Sequence, residues 1–433
     1  MSMTRRQLLW SSAAATLALT LPGARRKARA ASASSPKNLI IVFAYGGWDT
    51  SYAIDPKAAG GAVDVPDQQT GSSPTATIQT YGQIDALVDP SWASVGTFFS
   101  AYGAQTAVVR GIRLPGISHR ACSQQILTGA RNETSPDAAA IVAHANGADL
   151  PIPYLVLGDA AFAGPYAATM GRVGASNQLA GLLDPRHPYP IDGITDLPFS
   201  PAKADEDTIR AYTLARANRE RAVRGATGYN KARVDDFVTS LARGDQLRNL
   251  ASELGTRNTA IDLDAQRSLA VNALKSGLSR TVMLSSMQSW DTHENNFHQA
   301  ASHAFLFDKL TALLDLLRTT SGATAGHTLL DETVVAVISE MGRTPKRNVP
   351  ALGKDHWPVT SALVIGGGVA GGRVYGGTTA TGDSELVDFA TGAVSASGRT
   401  IEPRHFLAGL VSLCGVNPTT ELPGAEVFDA FIA

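Results

Sequence analysis

Six short runs of apolar and β-branched residues constrain the fold more than any other feature of the sequence. The first run covers residues 38–45 and ends at Gly46-Gly47. A continuous apolar run of this length is typical of a strand covered on both faces, as in the parallel sheets of α/β proteins. The other runs cover residues 106–110, 154–157, 281–284, 333–338 and 361–365.

Helical stretches lie between these runs. The alternation of strand and helix predicts an α/β domain with a doubly wound, mostly parallel sheet, covering residues 34–433. A more charged helical region, at about residues 200–278, interrupts the strands, and we interpret it as a helical insertion. The stretch at residues 297–318 spaces its apolar residues by three and four, at Ala300, Ala304, Phe307, Leu310, Leu314 and Leu317.

The first 33 residues have the order of an export signal. Arg5-Arg6 precedes a weakly hydrophobic stretch at residues 10–21, and basic and small residues follow it. Paired arginines favour the twin-arginine route, whereas a basic disordered tail is the alternative. The apolar stretch is shorter than the about 20 residues needed to span a bilayer. We therefore expect a periplasmic or secreted protein without stable membrane insertion.

The amino-acid composition limits the classes of protein to which this chain can belong. A hydrophobic content of 44% and a formal charge of -1 are typical of a well-buried globular protein. Binding of nucleic acid normally needs a basic face, so no nucleic acid partner is expected. Two cysteines, Cys122 and Cys414, exclude a disulfide scaffold and leave a single bridge open.

Carboxylates and imidazoles follow several of the apolar runs. In a doubly wound sheet, ligands bind beyond the carboxyl ends of the strands, so these side chains are expected to meet at one edge. Imidazole nitrogen and carboxylate oxygen are ligands of zinc and similar divalent ions. The predicted metal ligands are Asp49, Asp291, His293, Glu340, Asp355 and His356.

These ligands suffice for one or two divalent ions, and zinc, calcium, magnesium and manganese all remain open. Two ions about 3.5–4 Å apart would clamp the attacking and leaving oxygens of a displacement at phosphorus. For Asp291 and His293 the alternative is a helix cap with a surface histidine.

The segment after the second run predicts a helix start with reactive groups. A helix N-terminus offers backbone N–H groups and positive potential to an anion. His119 is a candidate third metal ligand, nucleophile or general acid, and Ser118 a candidate hydroxyl nucleophile. The alternative is a capping serine beside a satisfied polar histidine. Three cations are candidates to neutralise an oxyanion or, alternatively, to pair with carboxylates: Arg120, Arg343 and Lys354.

Other residues receive structural predictions. His298 and His303 do not share a helix face and are expected at the surface. The three glycines at 366–368 are expected to give close backbone packing near the site, because no Lys-Ser/Thr follows them. Trp48 and Trp357 flank predicted ligands, so either they form a wall of the pocket or stack on a sugar or aryl group, or they pack in the core.

Four blocks in this order resemble the DUF1501 family, which is similar to the alkaline phosphatase superfamily with its sulfatases and phosphomutases. They are Gly46-Gly47-x-Asp49 and residues 290–293, 339–345 and 355–357, the last followed by Gly366. The resemblance covers nearly the whole mature chain and implies a sheet of the alkaline-phosphatase/sulfatase type. It also implies that Asp49 binds one ion and that Asp291 and His293 bind another.

Two departures from the superfamily's pattern affect the site. Its Ser-Asp-His-Gly turn corresponds to residues 339–342, where Met341 stands in place of the imidazole. Either one ion is missing, or Asp355 or His356 supplies the lost ligand. The segment ending in Leu127-Thr128-Gly129 resembles the end of the sulfatase signature but lacks its cysteine-x-proline-x-arginine pattern.

These observations predict an exported metal-dependent hydrolase acting on phosphate or sulfate esters. The substrate would be a small molecule or a polymer that carries the ester. The alternative is a non-catalytic envelope protein with the same fold, which binds an anionic polymer or an exported partner protein.

Overall fold

A computed structural model describes most of the chain after the predicted export signal. The signal at residues 1–33 lies outside the described residues, so it stays a prediction. None of the helices described is both long and apolar enough to cross a membrane. The described residues are 36–66, 75–132, 134–158, 160–174, 179, 203–223, 225, 227–249 and 262–433.

An eight-stranded sheet forms the centre of the fold, and all six predicted runs lie in it. Its strand order is β12-β4-β11-β8-β1-β7-β5-β6. Two further sheets have two strands each, β2 with β3 and β9 with β10. The strands are β1 (Asn38–Phe43), β2 (Thr77–Tyr81), β3 (Ile84–Val88), β4 (Thr106–Arg113), β5 (Tyr154–Val156), β6 (Met170–Arg172), β7 (Thr281–Ser285), β8 (Thr333–Ile338), β9 (Gly342–Arg343), β10 (His356–Trp357), β11 (Val359–Gly366) and β12 (Arg373–Gly376).

The large sheet is parallel except at β11, which pairs antiparallel with both β4 and β8. This reversal brings the start of β11 to the edge where β1, β4, β7 and β8 end. His356 therefore reaches that edge, because β10 immediately precedes β11. The end of β11 lies at the opposite edge, where a Cβ on Gly367 would lie 1.9 Å from the Asp331 carbonyl oxygen. The predicted close packing of this glycine is present, but its expected position near the site was wrong.

Helices cover both faces of the sheet, as the doubly wound prediction requires. Alternate residues of β1 point to opposite faces, so Ile40 and Leu39 belong to two separate hydrophobic clusters. The helices are α1 (Ser94–Tyr102), α2 (His119–Thr128), α3 (Ala138–Gly147), α4 (Lys203–Val223), α5 (Gly228–Asn249), α6 (Leu263–Lys275), α7 (His298–Thr319), α8 (Pro403–Leu413) and α9 (Pro418–Glu421).

Helix α6 bears on the predicted insertion. Its Leu269 and Leu274 are buried in the same cluster as Ile40 of the central strand. The last part of the predicted insertion thus packs against the sheet, while α4 and α5 precede it in sequence. The insertion itself stays a prediction.

Helix α7 corrects one expectation about the histidines. His298 is exposed, but His303 is completely buried, and its Nε2 donates a hydrogen bond to the Asp49 carbonyl oxygen at 3.0 Å. His303 lies three residues after Ala300 and four before Phe307, on the apolar face of the helix. The expectation of a surface position was wrong for His303.

Both cysteines are buried and free. Burial raises the pKa of the Cys122 thiol to about 11 and that of Cys414 to about 12. Neither thiol is therefore ionised near neutral pH.

Candidate metal centre and substrate edge

Three imidazole rings converge on Asp291 at the carboxyl edge of the sheet. The Nε2 atoms of His293 and His356 lie 3.0 Å and 3.3 Å from its Oδ1, and Nε2 of His119 lies 3.3 Å from its Oδ2. The Nε2 atoms of His293 and His356 are only 2.9 Å apart. Ligand atoms of His119, Asp291 and His356 all lie within 4.8 Å of one another. Three segments of the chain thus meet around one point: the start of α2, the loop after β7 and strand β10.

Each imidazole is held at its other ring nitrogen by an oxygen acceptor. An oxygen that only accepts requires Nδ1 to donate, which in the neutral ring leaves a lone pair on Nε2. This pattern, with a carboxylate or carbonyl behind the histidine, is typical of metal-ligating imidazoles. The contacts are His119 with Glu340 Oε1 at 2.7 Å, His293 with Asp355 Oδ1 at 2.7 Å, and His356 with the Ile117 carbonyl oxygen at 2.8 Å.

The geometry of these rings fits a bound cation. Two Nε2 lone pairs facing each other at 2.9 Å, on His293 and His356, repel unless a proton or a cation lies between them. Nε2 of His119 is buried, and the residues that the structure describes give it no hydrogen-bond partner. A cation shared with the Asp291 carboxylate would lie within reach of His119 and His356, whose ligand atoms are all within 4.8 Å of one another and of Asp291, and His293 adjoins this group through His356.

The donor set also narrows the choice of ion. Three imidazole nitrogens and one carboxylate oxygen suit zinc and similar transition metals. Calcium and magnesium prefer sites made of oxygen ligands. Of the four ions that the sequence leaves open, zinc has the strongest preference for imidazole ligands.

Arg343 fixes the position of the Asp291 carboxylate. Its Nη2 donates to Asp291 Oδ1 at 2.6 Å and to the Gly46 carbonyl oxygen. Nε donates to the Gly47 carbonyl oxygen at 2.7 Å, and Nη1 to that of Lys354 at 2.9 Å. Burial raises the pKa of Asp291, but the hydrogen bond and charge of Arg343 outweigh it, and the pKa falls to about 2. The buried Arg343 guanidinium thus pairs with a carboxylate and orients it. The sequence analysis left this role open as the alternative to neutralising an oxyanion.

Asp49 lies in a separate buried network with Lys354. Lys354 Nζ donates to Asp49 Oδ2 at 2.7 Å, and Asn296 Nδ2 donates to the same oxygen at 2.8 Å. Ser51 Oγ donates to Oδ1 at 2.6 Å. Burial raises the pKa of Asp49, but the Lys354 ammonium more than compensates and holds it below the usual value. The charge that Asp49 was predicted to offer to an ion is neutralised by Lys354, and neither side chain joins the imidazole cluster.

Glu340 and Asp355 contact histidines on the side away from the cluster centre. Glu340 is completely buried, and its Oε1 also accepts a hydrogen bond from the Gly46 backbone N–H at 2.7 Å. Met341 is buried in the hydrophobic core. Of the six predicted ligands, Asp291, His293 and His356 therefore meet directly, and the fourth member of the cluster is His119.

The predicted helix start is present at α2, with Ser118 at its N-cap position. The Ser118 side chain makes no capping hydrogen bond, and the residue is exposed. Its neighbours on both sides contact the cluster, Ile117 through its carbonyl oxygen and His119 through its ring. Arg120 follows in the first turn and is exposed. Ser118 thus lies between two residues that contact the imidazole cluster, and its side chain is not used to cap the helix.

Tyr45 is a neighbour of the cluster that the sequence analysis missed. Its ring centroid lies 5.3 Å from that of His119, and the residue is 53% exposed. Burial together with the charges of Glu340 and Asp291 raises the pKa of its hydroxyl. Its position at the end of the first strand, next to Gly46-Gly47, was the signal that could have identified it.

The two tryptophans have different surroundings. Trp48 is completely buried and packs edge-on against Trp290, with centroids 6.1 Å apart. Trp357 is partly exposed, and its Nε1 donates to the Gly382 carbonyl oxygen at 3.0 Å. Trp48 is therefore a core residue.

Residues 199–420 match the model of the family described as protein of unknown function (DUF1501), which is just over half of the chain. No curated protein matches the sequence.

Several solved structures are similar to this chain at low identity. A protein in the alkaline phosphatase superfamily from Vibrio parahaemolyticus is 13% identical, with a TM-score of 0.37 over 91% of this chain and 70% of that one. Ps i-CgsB in complex with k-i-k-neocarrahexaose is 8% identical, with a TM-score of 0.40 over 92% and 76%. The lipoteichoic acid synthase LtaP from Listeria monocytogenes is 9% identical, with a TM-score of 0.31 over 92% and 76%.

Proposed function

We propose that this chain, which belongs to the DUF1501 family of proteins of unknown function, is an exported metal-dependent hydrolase of phosphate or sulfate esters. The observation that carries the proposal is the convergence of three Nε2 atoms on Asp291, with every Nδ1 atom held from behind. The twin-arginine pattern in residues 1–33 supports export.

The ligands of the ion would be Nε2 of His119, His293 and His356 and a carboxylate oxygen of Asp291. A divalent ion of the zinc type supplies Lewis acidity, which polarises an ester oxygen and makes a nearby hydroxyl more acidic. Support for a single ion comes from Lys354, whose ammonium already neutralises Asp49 at 2.7 Å. We therefore favour one ion over two.

The chain's own groups suit an anionic ester. The N-terminus of α2 carries positive potential and directs backbone N–H groups outward beside the cluster. In our proposal the ester's anionic oxygens lie there, and Ser118 Oγ bonds to phosphorus or sulfur as the bond to the ester's alcohol breaks and the serine proton passes to that alcohol. Water then hydrolyses the serine ester, which releases phosphate or sulfate and restores Ser118. We favour Ser118 over His119 as the attacking group, because Nε2 of His119 serves as a ligand of the ion in this proposal.

The test combines metal analysis with turnover. We expect the purified and zinc-loaded chain to hold about one ion and to hydrolyse at least one of an aryl phosphate, a phosphodiester and an aryl sulfate. His356→Ala should lose both metal and turnover, whereas His327→Ala, at an exposed histidine outside the cluster, should keep both. Ser118→Ala should keep the ion and lose turnover by roughly a thousandfold or more. Absence of stoichiometric metal after loading would refute the proposal.

A second candidate function is binding of an anionic polymer without turnover. A cavity of about 450 Å³ beside α2 is lined by three arginines, Arg113, Arg131 and Arg404. The acidic residue in its lining is Glu402. Arginine suits sulfate, phosphate and carboxylate groups because its guanidinium donates two parallel hydrogen bonds. Retention on an immobilised polyanion, lost in Arg113→Ala/Arg404→Ala and combined with inactivity on every ester, would favour this function over the first.

A further inference from the structure

An apolar cavity of about 300 Å³ opens beside the imidazole cluster. It lies at the ends of β1, β5 and β7, under the first turns of α2. Cavities of this size lined by apolar side chains, with a few polar groups, are typical of small-molecule sites. Its apolar lining includes Phe43, Tyr45, Ala160, Phe162, Met283 and Leu284.

Two polar residues of α2 also line this cavity, one turn apart. Ser123 is 5% exposed, and its Oγ has no hydrogen-bond partner in the part of the chain that the structure describes. A buried hydroxyl without a partner is costly, so its presence in a cavity wall points to a ligand atom that pairs with it. Arg120 contributes the charged end of the lining, on the same helix face.

Tyr45 connects the cavity to the cluster. It lines the cavity, and its ring centroid lies 5.3 Å from that of His119. An ester whose anionic group lies at the cluster would therefore extend its organic group past Tyr45 into the cavity. The lining offers that group apolar surface, an aromatic edge and the hydroxyls of Tyr45, Ser123 and Ser285, of which only the Ser123 hydroxyl is buried without a partner among the described residues.

We propose that this cavity binds the organic group of the substrate, and that this group is an uncharged aromatic ring with one polar substituent that pairs with Ser123. The proposal rests on the proposed function for the position of the ester, but binding of the ring is independent of turnover. The apolar surface of Phe162, Met283 and Tyr45 suits a flat ring, whereas a hydrophilic sugar would place most of its polar groups against apolar side chains. Aryl esters are therefore the predicted substrate class.

The test uses 4-methylumbelliferone, an aromatic alcohol, and measures its binding to the full chain by fluorescence and calorimetry. Ala160→Phe fills the cavity and should weaken binding by roughly a hundredfold, because the ring is then excluded. Ala161→Phe is the matched control, since Ala161 does not line the cavity, and it should leave affinity unchanged. Gly158 is unsuitable for filling because a Cβ there would lie 2.9 Å from the Ser285 backbone nitrogen. Ser123→Ala should lower affinity roughly three- to tenfold with little effect on folding.

His356→Ala separates this inference from the proposed function, because it should abolish metal binding and retain affinity for the aromatic alcohol. If the wild type binds neither the aromatic alcohol nor its phosphate ester, the inference is wrong, whatever the metal content. It is equally wrong if Ala160→Phe and Ala161→Phe bind the alcohol alike. In an active enzyme, Ala160→Phe should lower kcat/KM for aryl esters roughly a hundredfold and leave methyl phosphate unaffected, and equal losses on both would also overturn it.

Discussion

Lys354 and Asp49 form a buried ion pair, with Nζ 2.7 Å from Oδ2. A buried charge that loses its partner is strongly destabilising, typically by about 3–5 kcal/mol. We therefore expect Lys354→Met to reduce the free energy of unfolding by about that amount, as measured by chemical denaturation. Lys346→Met removes one partner of an exposed pair with Asp64 and should cost less than about 1 kcal/mol. Similar losses in both variants would contradict the role assigned to the buried pair.

The sequence predicts the edge at which the site forms, but it does not predict each residue's contacts. Asp291, His293 and His356 meet because the carboxyl ends of parallel strands share an edge and because β11 reverses direction. Asp49 follows the first strand as expected, yet its partner is Lys354. Whether a carboxylate faces an ion, an ammonium or an imidazole depends on displacements of a few ångströms, and residue spacing does not encode them. The burial of His303, by contrast, follows from helical periodicity and was available from the sequence.

Zinc should stabilise the chain through the imidazole cluster. A ligand that binds only the folded state at a hundred times its Kd contributes about 2.7 kcal/mol. We expect the Tm of the chelator-treated protein to rise on addition of zinc, and to change little with calcium, because the donors are mainly imidazole. In His119→Ala the rise should be largely lost. An equal rise with zinc in His119→Ala would place the ion elsewhere.

The carboxylates behind the histidines should set the affinity for the ion. Mutation of such supporting residues typically costs about 10–100-fold in metal affinity. Glu340→Gln, at a completely buried position, should give the larger loss, and Asp355→Asn, with a side chain that is 57% exposed, the smaller. Competition with a chromophoric zinc chelator measures both. Glu294→Gln changes an exposed carboxylate next to His293 and should have no effect. An unchanged affinity in Glu340→Gln would mean that His119 needs no support from that carboxylate.

His303 should make the folded state sensitive to acid. Burial lowers the pKa of its imidazole to about 4, against about 6.5 in the unfolded chain. Between pH 6.5 and pH 4 the unfolded state therefore binds a proton that the folded state does not, so stability falls as the pH falls. The neutral His303 imidazole therefore contributes about 3 kcal/mol to the free energy of unfolding. This contribution is fully present above pH 6.5 and is lost by about pH 4.

His303→Gln keeps an N–H donor for the Asp49 carbonyl oxygen and removes the titrating ring. The variant should be less stable than the wild type at pH 7, but its free energy of unfolding should fall by about 3 kcal/mol less on going to pH 4. Urea denaturation of both proteins in the presence of a chelator isolates this difference, because the cluster histidines titrate in both. Parallel pH profiles would show that the buried imidazole is already protonated in the folded state, with its Nδ1 paired to an acceptor.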